Sequence, residues 1–385
     1  MWLTARVLYQ PTPGPALCEL ECGEFAVRPP LDDMAKGPLT TAVTETFSIT
    51  HPVILAGMNV AAGSKLTAAV TNAGGLGVIG GLGYTPKMLR QQIHDIKQYL
   101  TDKNAPFGVD LALPQVGGSA RKTNYDYTHG QLPDLIDVII EEKASLFVCA
   151  VGVPPPFAVQ KLHQAGIPIM NMVGHPKHVA KALDAGVDII CAQGGEGGGH
   201  TGYVPTSVLV PACVDAVKGR TSPLTGKPVF VVAAGGISDG RGLAAALMWG
   251  AQGVWVGTRF VASEEAAANK RHKELLLKAN YEDIGRTLIY SGRPLNVYKT
   301  DYVKDWETNR ADEIKALTEK GIVPHYQEME KHPEKSMVGH HYLMGNVAAA
   351  ITDVLPAKTI VDNMVSDAVK CIANAKAMTG GRAKL

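Results

Sequence analysis

Between residues 51 and 260 the chain repeats one pattern: a short, continuously apolar run, then a longer stretch with helical spacing. The apolar runs fall at 52–56, 76–80, 107–111, 146–150, 167–173, 187–191, 229–234 and 253–257. They do not alternate apolar with polar, which is the pattern of parallel strands covered on both faces. Between them, residues 65–73, 86–99, 132–142, 176–185 and 240–249 have helical spacing. Eight strand–helix units in about 210 residues predict an α/β fold, a (β/α)8 barrel. An open doubly wound sheet is the alternative.

A barrel gathers its chemistry at the carboxyl ends of its strands, and the sequence places its glycines and polar residues there. Gly57, Met58 and Asn59 follow the first run, Asp110 lies near the end of the third, and Asn171 near the end of the fifth. The loop Gln193-Gly194-Gly195-Glu196-Gly197-Gly198-Gly199-His200-Thr201-Gly202 follows the sixth. Gly235-Gly236 follow the seventh, and Gly257-Thr258 close the eighth.

The expected organisation is an irregular extension at 1–50, the barrel at 51–260, a smaller helical lid domain at 261–340, and C-terminal helices at 341–385 that return to the barrel. Charged helices are expected at 263–279 and 310–320, around a proline-containing segment at 290–306.

Composition narrows the function classes. Apolar residues make up 46% and the formal charge is +1, which gives no support for nucleic-acid or acidic-membrane binding. No apolar run has the length of a membrane span. Six cysteines are too sparse for a disulfide scaffold. Cys18 and Cys22 have no neighbouring Cys or His to complete a zinc site, so no metal is expected. The first forty residues lack the apolar core of a signal peptide, and the expected compartment is the cytoplasm.

The Gln193–Gly202 loop carries the strongest chemical signal. Its glycines leave the backbone bare, so a flat or phosphorylated ligand can lie against it. It carries one imidazole, His200. The bland alternative is a flexible loop with an exposed histidine. Glu196 has two readings, orienting the loop or facing solvent. Gly75-Leu76-Gly77-Val78-Ile79-Gly80 matches the dinucleotide fingerprint in letters only, because its apolar residues are themselves the strand. Its glycines are expected to allow close packing. The paired turns Gly235-Gly236 and Gly257-Thr258 sit where barrels bind phosphate, and Asp239 is placed to cap the next helix. Two ordinary tight turns are the alternative. One phosphate there leaves the mouth for a planar ring, which fits FMN.

These stretches, with Ser291-Gly292-Arg293-Pro294, resemble the nitronate monooxygenase family, formerly the 2-nitropropane dioxygenases. The resemblance covers roughly residues 51–375 and extends to related flavin NADH:quinone and enoyl-acyl carrier protein reductases. It implies a TIM barrel with FMN and a catalytic histidine after the sixth strand, which by motif position is His200. It implies flavin contacts at Gly57, Met58, Asp110, Asn171, Gln193 and Gly198, and phosphate contacts at Gly235, Gly236, Gly257 and Thr258. The first loop reads Leu55-Ala56-Gly57-Met58 rather than the Gln-Ala-Pro-Met of one branch, and Asn171 stands where some members have Lys. The expected reaction is oxidation of alkyl nitronates, or nitroalkanes, by O2, with His200 as base or anion-holding group. The alternatives are an NAD(P)H:quinone or enoyl-thioester reductase and a non-catalytic flavin-binding barrel.

Overall fold

The computed structural model describes residues 37–379. Numbered along the chain, eight strands run parallel in one sheet. They are β1 (Val53–Leu55), β2 (Gly77–Gly80), β3 (Phe107–Ala112), β4 (Leu146–Ala150), β5 (Ile169–Val173), β6 (Ile189–Gln193), β8 (Phe230–Ala234) and β9 (Gly253–Val256). The other three, β7 (Gly199–His200), β10 (Ile284–Thr287) and β11 (Leu295–Tyr298), make a small antiparallel sheet. The large sheet runs β1-β9-β8-β6-β5-β4-β3-β2, and a parallel bridge between Ile54 and Leu76 joins its two ends. The sheet is therefore a barrel, as the continuous apolar runs predict.

Two layers of core hold it. Inside, Ile54, Val78, Val148, Met170, Cys191, Val232 and Trp255 point from alternating strand positions toward one another. Outside, the opposite faces of the strands bury Val109, Cys149, Ile190 and Val254 against the helices. The helix Pro86–Tyr99 matches its expected bounds, and Gly240–Met248 falls one residue short. Asp239 caps the latter as expected, accepting from the Arg241 and Gly242 N–H groups at 3.0 and 3.2 Å. A Cβ on Gly77 would stand 2.0 Å from the Thr67 carbonyl oxygen, so that glycine serves close strand–helix packing rather than a nucleotide.

Two expectations are corrected. The irregular extension placed at 1–50 ends in a helix, Ala42–Phe47, begun by a reciprocal Thr41–Thr44 capping box. Its Val43 and Phe47 plug the amino end of the barrel, so the barrel unit starts before residue 51. The prolines and charges hid a helix of only 6 residues. Residues 1–36, with Cys18 and Cys22, lie outside the described residues.

The segment expected as a helical domain at 261–340 also carries β10 and β11. The helix expected over 263–279 starts only at Lys270, where the Asn269 side chain accepts from the His272 N–H at 2.8 Å. The helix at 310–320 forms as Ala311–Glu319. The helix Ala357–Met378 packs on Gly240–Met248. A Cβ on Gly240 would stand 2.4 Å from the Ala368 nitrogen, so the two helices meet at backbone distance. The segment between β9 and Ala357 is thus an insertion within the last unit of the barrel. Among the described residues no helix is long and apolar enough to cross a membrane.

Candidate active site

The insertion folds back over the carboxyl end of the barrel and meets the glycine loop there. Its β11 pairs with β7, placing Leu295 opposite His200 and Asn296 opposite Gly199. Asn296 Nδ2 donates to the carbonyls of Gly195 and Gly197 at 2.8 and 2.7 Å. Gln193 Nε2 donates to the carbonyls of Gly198 and His200 at 3.4 and 3.2 Å. A loop with so few side chains is fixed by amides from outside it. Glu196 resolves to the first of its two readings. Its carboxylate accepts from the Thr206 N–H at 2.9 Å and the Thr206 hydroxyl at 2.6 Å, at the start of the helix Thr206–Ala216.

His200 stands on the rigid pair formed by β7 and β11. Its Nε2 lies 2.8 Å from Ser291 Oγ. Ser291 Oγ also accepts from the Arg293 N–H at 3.3 Å. Desolvation, then the nearby Arg293 guanidinium, then His341 push the His200 imidazole from 6.5 down to about 4. It is neutral at pH 7. His341, packed at 5.2 Å centroid distance against the Tyr290 ring, is also pushed down to about 4. Desolvation is the main cause, with His340, His325 and His272 adding repulsion, although the outer edge of His341 is exposed.

Asp110 lies on the inner face near the mouth end of β3. Asn171, the middle residue of β5, instead shares the outer, helix-facing side with Ile169 and Val173, and donates from Nδ2 to the Met172 carbonyl at 3.1 Å. The expected flavin contact at Asn171 therefore does not form part of the mouth. Asp110 and Asn171 each have a buried oxygen, Oδ1, without a partner. Burial pushes the Asp110 carboxyl from 3.8 up to about 8, so at pH 7 it holds a proton to donate. Gly57 lies against it: a Cβ there would stand 2.4 Å from Asp110 Cβ. Met58 Sδ faces Gly257, 3.5 Å from where a Cβ would be. Gly235 and Gly236 adopt φ of 93° and 72°, open only to glycine without strain. Among the described residues the Gly236 and Ile237 N–H groups donate to no protein acceptor. Thr258 Oγ1 accepts from the Gly345 N–H at 3.0 Å, leaving its own hydrogen to donate. A Cβ on Gly198 would meet the Met344 backbone at 2.9 Å, so this glycine packs the loop on the insertion.

The orphaned buried Asp110 oxygen, free N–H groups and a cradle bare of Cβ atoms describe a site shaped for a polar planar ring and an anion. They fit FMN. His200, Gln193, Gly198, Gly235, Gly236, Gly257, Thr258, Gly57, Met58 and Asp110 lie at this end of the barrel, and Asn171 does not join them. Sequence reasoning missed His341, Tyr290 and Asn296, and gave Ser291 and Arg293 no role. The Ser-Gly-Arg-Pro run was the visible signal. Nothing in spacing placed residues 291–296 beside residue 200.

The nitronate monooxygenase family model matches residues 40–367. A Rhodococcus jostii protein described as (3aS,4S,5R,7aS)-5-hydroxy-7a-methyl-1-oxo-octahydro-1H-indene-4-carboxyl-CoA dehydrogenase is 32% identical, over 87% of this chain and 97% of the relative. A probable nitronate monooxygenase of Staphylococcus saprophyticus is 30% identical, over 69% and 80%. Thermotoga maritima FabK matches with a TM-score of 0.71 at 30% identity, over 88% of this chain and 99% of FabK. A nitroalkane oxidase from Streptomyces ansochromogenes shares the fold, with a TM-score of 0.73 at 22% identity over 87% of this chain.

Proposed function

We propose, from the premise that this chain belongs to the nitronate monooxygenase family, that it is an FMN-dependent oxidoreductase acting on nitroalkanes and their nitronates with O2. The observation that carries the reading is the neutral, desolvated His200 imidazole, held 2.8 Å from Ser291 Oγ at the rim of a glycine cradle.

The chain's own residues divide the work. Gly235, Gly236, Gly257 and Thr258 would hold the phosphate with backbone N–H groups and one hydroxyl. Asp110 and Gln193 would meet the polar edge of the ring, with Gly57, Met58 and Gly198 close against it. Bound FMN supplies the electron acceptor, which no side chain here provides.

His200 removes the proton from the substrate carbon. Ser291 sets which nitrogen does so. When its hydroxyl donates to the Arg293 carbonyl, 3.4 Å away, its oxygen accepts from Nε2–H and leaves Nδ1 basic. The glycine walls admit the substrate to the ring face, and the insertion carrying β10 and β11 limits water above it.

The protein as purified should be yellow and release FMN on denaturation. With 2-nitropropane as substrate, His200→Asn should lower activity about 10²–10⁴-fold, the usual contribution of a positioned acid–base group. With preformed propyl-2-nitronate the loss should be smaller, because that proton is already gone. Equal losses on both would make His200 a binding group. No loss would remove it from the chemistry.

A second reading follows from the Rhodococcus relative, which aligns over nearly its whole length. The same base and acceptor would then act on the carbon beside a CoA thioester. Anaerobic bleaching of the flavin by an acyl-CoA, but not by a nitronate, would favour it. Bleaching by NADH instead would point to a reductase.

A further inference from the structure

We infer that Arg293, with Arg121 nearby, forms an anion-binding subsite beside His200 that takes the two oxygens of a planar nitro or nitronate group. This rests on the reading of His200 as the base.

Three observations carry it. Arg293 is tied to the base through Ser291: its N–H donates to Ser291 Oγ at 3.3 Å, and that oxygen lies 2.8 Å from His200 Nε2. The side chain is aimed by two further bonds, from Nε to Asn124 Oδ1 at 3.0 Å and from Nη1 to the Val151 carbonyl at 3.4 Å. Val151 has φ of 71°, a left-handed conformation that a β-branched residue rarely adopts. Strain of this kind persists where the surroundings enforce it.

A guanidinium carries five N–H donors. Two are used, and among the described residues Nη2 has no acceptor.

Charge is the third observation. Arg293 is half-buried, and among the described residues neither it nor Arg121 has a carboxylate partner. Burial and the neighbouring Arg121 both disfavour its charge, offset only by Tyr127. A half-buried cation with a like charge beside it is costly unless an anion completes the site. The planar fork matches a planar group with two oxygens, to which it can donate twice. When His200 takes the proton, the electron pair of the C–H bond becomes the C=N π bond and an N=O π pair moves onto those oxygens, where Arg293 faces the new charge.

The test uses the flavin-loaded protein and sodium nitrate as a planar oxyanion probe. Nitrate should raise the melting temperature of the wild type and compete with propyl-2-nitronate. Arg293→Met should weaken nitrate binding about 10²-fold, as when one oxyanion donor is removed. Arg293→Lys should retain part of it, keeping the charge without the fork. For the preformed nitronate the loss in Arg293→Met should appear in KM, because the charge exists before reaction. For neutral 2-nitropropane it should appear in kcat, because the charge forms only during proton transfer.

A purely structural Arg293 would produce no such split. Arg121→Met removes an exposed side chain and should fold normally, with nitrate binding several-fold weaker. Nitrate binding unchanged in both Met variants overturns the subsite, as does a wild type that binds no nitrate. Thioester turnover that depends on Arg293 while nitrate binding does not also overturns it. Nitrate binding lost with Arg293, in a wild type that turns over no nitro compound, sinks the proposed function and leaves the subsite standing.

Discussion

Replacing His200 by Asn should make the protein less sensitive to acid. In the folded chain the imidazole is pushed from 6.5 to about 4 by desolvation, Arg293 and His341. Between those values the unfolded chain binds a proton that the folded chain refuses, so acid favours unfolding. The His200 contribution is complete above pH 6.5 and is lost as pH falls toward 4. From pH 7.5 to 4.5 the linkage relation gives a loss of about 2.5 kcal/mol for this one group. Asn does not titrate, so the variant escapes that loss.

The assay is urea unfolding followed by tryptophan fluorescence at both pH values, for both proteins. The quantity of interest is the difference between the two pH dependences. Asp110 and His341 titrate in both proteins, and their contributions largely cancel in it. Parallel pH dependences would show an ordinary, solvated imidazole, and the reading of His200 as a desolvated base would fail. The same shift places the acid limb of kcat/KM for neutral nitroalkane near pH 4 rather than 6.5.

Asp110 has the opposite sign. Its carboxyl keeps its proton up to about pH 8 in the folded chain, so its contribution is present at low pH and lost as pH rises. Asp110→Asn should therefore stabilise the flavin-free protein increasingly between pH 4 and pH 8, as urea midpoints would show; no change would mean a solvated carboxylate. Gly236→Asp adds both strain at φ 72° and a carboxylate beside the phosphate loop, so FMN retention should fall in the ratio of flavin to protein absorbance. Full occupancy would displace the phosphate site from Gly235-Gly236. Deleting residues 1–36 should leave flavin content unchanged, whereas Phe47→Ala, at a side chain 1% exposed under the barrel, should cost about 3–5 kcal/mol. An insoluble 37–385 chain would show that the missing segment packs on the barrel.

The barrel was legible because its signal is local and repeated. The strand runs are largely apolar on both faces, and most are followed within two residues by glycine or a polar residue at the same end. The Ala42–Phe47 helix was not legible: a one-and-a-half-turn element among prolines has no period to detect, and only the barrel floor makes Val43 and Phe47 core residues. The insertion was misread for a related reason. β10 and β11 are four residues each, and β11 owes part of its pairing to β7, which is two residues long and lies almost 100 positions upstream.

The same long-range pairing explains why the site was half legible. His200 announces itself because a lone imidazole in a glycine run has few structural uses. Ser291 and Arg293 look ordinary until β11 lies against β7, and then both come within the His200 neighbourhood. The order of construction follows from this. The barrel supplies the cradle from local sequence rules, and the insertion supplies Ser291, which holds the His200 imidazole, and Arg293, which opposes a charge on it. A barrel with the glycine loop but without residues 284–298 would lose Ser291 from Nε2 and Asn296 from the loop carbonyls. In the proposed function, flavin binding and base chemistry are thus separable. Asn296→Ala, which removes both bonds to the Gly195 and Gly197 carbonyls, should loosen the loop and lower kcat while the phosphate loops at Gly235 and Gly257 still retain FMN. Loss of flavin in that variant, with the fold intact by circular dichroism, would show that cradle and insertion form one unit after all.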